Sequence, residues 1–194
     1  MISRLSSLQH DLLAAFFGVE KEFFLTGGAA LAGFHLGHRP THDLDLFVTS
    51  DRLREGESAL RASARQLGAT IEALRTSPGF RRWLVRRGEE SVVVDLVFDQ
   101  SPQGDPEKQR FGEILVDPAP EILANKLCAL LSRAEIRDVV DVLALERAGH
   151  RVESALSLAA RKDTGFTPGQ LAWVLSEIDV GEDADVPGGL SPAD

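Results

Sequence analysis

The chain has 194 residues, 43% of them hydrophobic, which is enough for one compact unit with a real core and too few for two large ones. A formal charge of −9 argues against a general nucleic-acid binder, which needs a net basic face, although a local basic patch remains compatible with docking RNA. The single cysteine, Cys128, excludes an intrachain disulfide framework and a cysteine-based zinc site. With no leader-like N-terminal stretch and no apolar run near the ~20 residues that cross a bilayer, a cytoplasmic protein with no membrane partner is expected.

Residues 6–18 place Leu8, Leu12, Leu13, Phe16 and Phe17 at helical spacing behind a Ser6-Ser7 pair able to cap. Residues 22–26 read as a short strand running straight into Gly27-Gly28, and 29–36 as a small-residue helix closed near Gly37. Strict alternation makes 43–49 a strand, and 51–67 is an amphipathic helix ended by Gly68. Three strands follow at about 70–76, 80–87 and 91–99, and their turn chemistry predicts antiparallel neighbours. Residues 101–113 are rich in Pro, Gly and charge and read as a surface loop at a boundary. Helices are predicted at 119–132, 135–148, 151–161 and 167–178, and the Asp-, Gly- and Pro-rich end from 179 as a disordered acidic tail. The fold class is therefore mixed α/β (α+β), a mixed sheet flanked by helices with a helical part behind it.

The chemistry sits in Thr26-Gly27-Gly28 and, after fourteen intervening residues, Asp43-Leu44-Asp45-Leu46-Phe47. On a strand, Asp43 and Asp45 share one face, roughly 6–7 Å apart along the backbone, while Leu44 and Leu46 face the core. Their oxygens can converge on two divalent ions ~3.5–4 Å apart, the geometry of two-metal phosphoryl chemistry, and hard oxygen ligands suit Mg²⁺. A glycine pair at a strand-to-helix turn lets backbone N–H groups approach a phosphate. Asp95, alone in the apolar run Val92–Phe98, is costly unless solvated, paired or metal-bound, and it completes a three-carboxylate cluster if its strand lies beside 43–48. From there it can bind an ion and accept the acceptor's proton. Each feature alone has a bland reading: a turn, an exposed edge, a hydrogen-bonded core residue.

In this order the residues resemble the nucleotidyltransferase (polymerase-beta-like) fold signature. Within it the chain is similar to the AbiEii/AbiGii toxin family, whose mycobacterial relatives are the MenT toxins. The similarity is carried by Thr26–Leu31, by His38-Arg39-Pro40-Thr41-His42-Asp43-Leu44-Asp45, by Glu121-Ile122-Leu123-Ala124-Asn125-Lys126-Leu127, and by Arg133 with Arg137-Asp138-Val139-Val140-Asp141. It implies a nucleotidyltransferase that uses a nucleoside triphosphate and Mg²⁺, two ions being expected, with the 3′ end of tRNA as acceptor and an antitoxin as partner. It also implies that Lys126 meets the nucleotide's phosphates and that Asp138 is essential. The expected organisation is a catalytic domain at 1–113, a helical part at 114–178 and a tail at 179–194.

The residues by themselves leave blander readings for this last group. Lys126 flanks the stripe Leu123, Leu127, Leu130 and Leu131 and can snorkel to water, and Asp138 suits a helix N-terminus. Arg137 and Asp141, four apart, can pair on a helix surface. Arg39 can reach a phosphate bidentately. His35, His38 and His42 straddle a Pro40 turn, which spoils zinc-ligand spacing. The run Phe80–Arg87 with Arg75 reads as a charged edge strand, or else as a phosphate-contacting patch with Trp83 available for stacking. Alternative functions are a nucleotidyltransferase for a small cationic acceptor such as an aminoglycoside, and an inactive nucleotide-binding module. Three intact carboxylates weigh against the second.

Overall fold

A computed structural model describes residues 3–181 and 183–191. Ser6 caps the first helix, α1 (Ser7–Val19), by accepting from the Gln9 N–H, while the Gln9 side chain accepts from the Ser6 N–H. The reciprocal bonds satisfy two helix-end donors and aim Leu8, Leu12, Leu13, Phe16 and Phe17 at the core. Strand β1 (Phe24–Thr26) passes without a linker into α2 (Gly27–Ala30), which widens into a π-helical turn at Leu31–His35. Then come β2 (Asp43–Val48), α3 (Leu53–Gln66), and three consecutive strands, β3 (Thr70–Ser77), β4 (Phe80–Arg87) and β5 (Glu90–Phe98). Two short strands, β6 (Gln109–Phe111) and β7 (Ile114–Val116), precede helices α4 (Ala119–Arg133), α5 (Ile136–Arg147), α6 (Val152–Lys162) and α7 (Pro168–Glu177).

The strands form one mixed sheet in the order β3-β4-β5-β2-β1-β7-β6. The neighbours β2 and β5 are parallel, as are β1 and β7, and the other pairs are antiparallel. The predicted antiparallel run β3-β4-β5 is present. Period-two alternation sends Leu44, Leu46, Val48, Val94, Leu96, Trp83 and Val85 to a fully covered face. Helices α1 and α3 pack on the sheet, and α4 carries α5, α6 and α7 around it.

Three expectations need amending. The stretch 101–113 is not all loop: β6 lies in it, and β7 pairs Val116 with Leu25 of β1, so the sheet runs past residue 113. The tail from 179 has a defined course where it is described; Pro187–Gly189 make a 3-10 turn beside α5, and residues 182 and 192–194 lie outside the described set. Trp83 is not available for stacking. Strand parity puts it on the face opposite Arg82, where it is 3% exposed and Arg61 of α3 lies over its ring at 4.4 Å. No helix among the described residues is long and apolar enough to cross a membrane.

Candidate active site

The site is built by register. Asp45 of β2 stands beside Asp95 of β5 on the neighbouring parallel strand, and Thr26, the last residue of β1, flanks Asp45 on its other side. Asp43 is two residues earlier on β2 and projects to the same face. Gly27, immediately after Thr26, has φ +64°, and a Cβ there would lie 2.3 Å from Asp45 Oδ2. Only glycine lets the turn and the carboxylate come this close. Gly28 is tight in another direction, its missing Cβ facing the Arg39 Nη2 at 3.1 Å.

The donor set suits a divalent cation. All candidate ligands are hard carboxylate oxygens, and the Asp45 carboxyl is pushed up to about 6, by burial first and then by the negative charges of Asp95 and Asp43. A cation would relieve that repulsion. Among the described residues, however, no three ligand-type side chains are drawn together closely enough to enclose an ion. Two of the three carboxylates are instead engaged by arginines. Arg82 of β4 donates to both oxygens of Asp95, at 2.8 and 2.6 Å, and Arg137 of α5 stands 3.6 Å from Asp43.

Facing the carboxylates is a cationic cluster on α4 and α5. Lys126 and Arg133 are close enough to pull the Asp45 carboxyl back down in part. The family resemblance implied that Lys126 meets the nucleotide's phosphates, and its helical position alone suggested a solvated flank; the structure buries it between two aspartates, 2.8 Å from Asp138 and 2.6 Å from Asp141. Asp138 also accepts two bonds from Arg133, and Asp141 accepts from Arg39 and His38. Burial opposes ionisation of both aspartates, but these donors more than offset it and hold both carboxyls below their usual range. Arg39, predicted beside a phosphate, gives Nε and Nη2 to Asp141 and Nη1 to the Pro40 carbonyl. The surface pair Arg137–Asp141 does not form, because Asp141 points inward and Arg137 turns to Asp43 and Glu135. Of the three histidines, His35 bonds the Asp117 carbonyl and His38 bonds Asp141.

Beside Asp43 opens a pocket of about 580 Å³, walled by His38–Asp43, Arg4, Arg137 and the chain from Asp185 to Gly189. Asp43 thus stands at the edge of this pocket, while Asp45 and Asp95 lie beside Asp43 on the sheet and do not line it.

The model of a family described as "Nucleotidyl transferase AbiEii toxin, Type IV TA system" matches residues 11–176. The chain belongs to the AbiEii family. Its fold is shared with solved structures. JHP933 from Helicobacter pylori superposes with a TM-score of 0.56 at 19% identity, over 88% of this chain and 90% of that one. The antibiotic-resistance factor ANT(2″)-Ia gives 0.54 at 17% identity, over 79% and 88%. MenT4, a nucleotidyltransferase toxin from Mycobacterium tuberculosis, gives 0.49 at 17% identity, over 89% and 83%. No curated protein matches in sequence. In this AbiEii chain the contacts that the sequence did not reveal are those of Arg82 with Asp95 and of Arg137 with Asp43. The arginine-rich run 80–87 was a signal for the first; the second was assigned to the wrong aspartate by its i,i+4 spacing.

Proposed function

We propose that this AbiEii-family chain transfers a nucleoside monophosphate from a nucleoside triphosphate to an acceptor hydroxyl at Asp43, Asp45 and Asp95, with two Mg²⁺ ions as cofactors and the 3′ end of tRNA as acceptor. The observation that carries this reading is the register pairing of Asp45 with Asp95 directly against the Gly27 turn. Asp43, Asp45 and Asp95 would hold the metal, and Asp95 takes the acceptor's proton. Bound Mg²⁺ supplies charge that offsets the negative α-phosphate and the leaving pyrophosphate. Gly27 and Gly28 leave room for the phosphates to approach backbone N–H groups. The acceptor oxygen forms a bond to the α-phosphorus as the bond to the β-phosphate bridging oxygen breaks, and pyrophosphate departs with that electron pair.

Lys126 and Arg133 support this reading by placing positive charge opposite Asp45. Asp138 acts as a positioning residue, since it anchors both. Arg39 likewise fixes the approach to Asp43 through Asp141. The family description, a toxin of a type IV toxin-antitoxin system, supports a toxin with an antitoxin partner, and the cytoplasm is part of the proposal.

Incubation with labelled triphosphates, Mg²⁺ and total tRNA tests the reaction, with aminoglycosides supplied in parallel. Label at tRNA 3′ ends is expected. Label on the aminoglycoside alone would replace the acceptor, and label on nothing would overturn the enzyme reading. Induced expression is expected to arrest growth for the wild type and not for Asp45→Ala; equal growth would remove the toxin assignment.

A further inference from the structure

One row of paired residues crosses the sheet through the site: Arg75 on β3, Arg82 on β4, Asp95 on β5, Asp45 on β2 and Thr26 on β1. Register partners share a face, so the three central side chains and both arginines project together. Arg75 reaches this row by an irregularity. The β3–β4 register steps from Ala73 opposite Trp83 to Arg75 opposite Arg82, so Leu74 is the extra residue and is left 47% exposed. A bulge re-aims the side chains that follow it, and here it sets a second arginine directly opposite the first.

That placement is unfavourable in itself, since like charges facing one another across a strand pair repel. Both guanidinium groups also lie near the Phe80 ring, Arg75 at 5.9 Å and Arg82 at 5.6 Å from its centroid. Arg82 turns inward and donates both bonds to Asp95, yet its side chain stays 45% exposed. Among the described residues Arg75 has no comparable carboxylate bond.

We propose that Arg82 is an exchangeable counter-ion: it neutralises Asp95 in the resting enzyme and, when a divalent cation takes that carboxylate, swings outward to form with Arg75 and Phe80 a binding site for a phosphate of the acceptor nucleic acid. This rests on the metal-dependent reading given above and adds to it the acceptor's path, along the β3–β4 ribbon away from Asp95. A divalent ion on Asp95 competes with the guanidinium that now bonds both of its oxygens, so cation binding weakens the Arg82 pair and the two are linked. By reciprocity, whatever factor the cation adds to phosphate binding, the phosphate adds to cation binding.

The test uses the full chain and Mn²⁺, whose free fraction is read by electron paramagnetic resonance, and a short single-stranded RNA read by fluorescence anisotropy. Arg82→Gln is expected to bind Mn²⁺ roughly twofold to fivefold more tightly than wild type, as removal of a half-exposed ion-pair competitor implies. It is also expected to bind RNA more weakly and to lose the Mn²⁺-induced tightening that wild type shows. Turnover at saturating metal is expected to fall, so metal affinity and turnover move in opposite directions, which a merely structural defect would not produce. Arg82→Lys, which cannot span both oxygens, is expected to lie between the two and serves if Arg82→Gln does not fold. Unchanged or weaker Mn²⁺ binding in the folded variants would overturn the exchange. The metal-site reading has its own control: if wild type and Asp45→Asn bind Mn²⁺ equally, that reading fails whatever Arg82 does.

Discussion

Asp141, on α5, accepts two hydrogen bonds from Arg39, 102 residues earlier in the chain, at 2.7 and 2.8 Å. The pair ties the approach to β2 directly to the helical part, and both groups are almost wholly buried. Removing the charge of Asp141 leaves Arg39 and Lys126 short of a buried partner. Asp141→Asn is therefore expected to cost about 3–5 kcal/mol, a fall in Tm on the order of 10 °C for a domain this size. Thermal melts of variant and wild type check this, and a loss below 1 kcal/mol would mean that the cluster is not the latch.

Acid stability follows from the same cluster. Asp138 and Asp141 titrate below their unfolded values, so the stability they contribute is complete above the ordinary carboxylate range and is lost as pH falls through their folded values. Urea unfolding as a function of pH is expected to show this loss setting in below about pH 4, and a smaller loss in Asp141→Asn.

Lys126 separates two roles. Bridging Asp138 and Asp141, it is a structural cation first. Each aspartate keeps an arginine when it is removed, so Lys126→Ala is expected to lose about 3 kcal/mol, the low end for a broken buried pair. Urea unfolding reads that loss directly. A variant of unchanged stability with weakened triphosphate binding would show instead that Lys126 serves the phosphates alone.

The two glycines are expected to respond differently. A Cβ at Gly27 collides with Asp45 Oδ2 and must also adopt φ +64°, so Gly27→Ala is expected to displace the carboxylate and reduce turnover at least a hundredfold, with a stability loss of about 1–2 kcal/mol. Gly28→Ala needs no positive φ and meets side-chain atoms only, Arg39 Nη2 at 3.1 Å and Thr41 Oγ1 at 3.5 Å, so it is expected to retain more activity than Gly27→Ala while straining the Arg39–Asp141 pair. Parallel rate measurements decide it, and equal losses would contradict the cradle.

Asp45 gives a pH dependence of the opposite sign to the latch. Its folded carboxyl titrates near 6, above its unfolded value, so the folded state binds the extra proton between about pH 4 and 6. Ionising Asp45 therefore removes stability as pH rises through that window. Without metal, Asp45→Asn is expected to gain stability over wild type as pH goes from 4 to 7. Divalent binding, which requires the ionised form, is expected to strengthen as pH rises through 6 in wild type alone, measurable by calorimetry at several pH values.

The features legible in the sequence are those with local periodicity. Alternation put Asp43 and Asp45 on one face, and the glycine pair marked the turn that meets them. Asp95 stood out because nothing in an apolar strand accounts for it. What stayed hidden depends on which strands and helices meet. Arg82 finds Asp95 only through the β4–β5 register, and Lys126 finds Asp141 only when α5 folds against α4. The spacing rule that paired Arg137 with Asp141 ignored which side of α5 is buried. The β6–β7 hairpin escaped notice because its strands have three residues each and β6 is exposed throughout, leaving no apolar pattern to read.

The central claim is that the carboxylates of β2 and β5 carry nucleotidyl transfer. Pyrophosphate release in step with label transfer, measured for wild type and Asp45→Asn with Mg²⁺, triphosphate and total tRNA, tests it most directly. Wild type is expected to release one pyrophosphate per label transferred, and Asp45→Asn to be slower by a factor on the order of 10³ while remaining folded. A folded Asp45→Asn that keeps the wild-type rate would contradict the account.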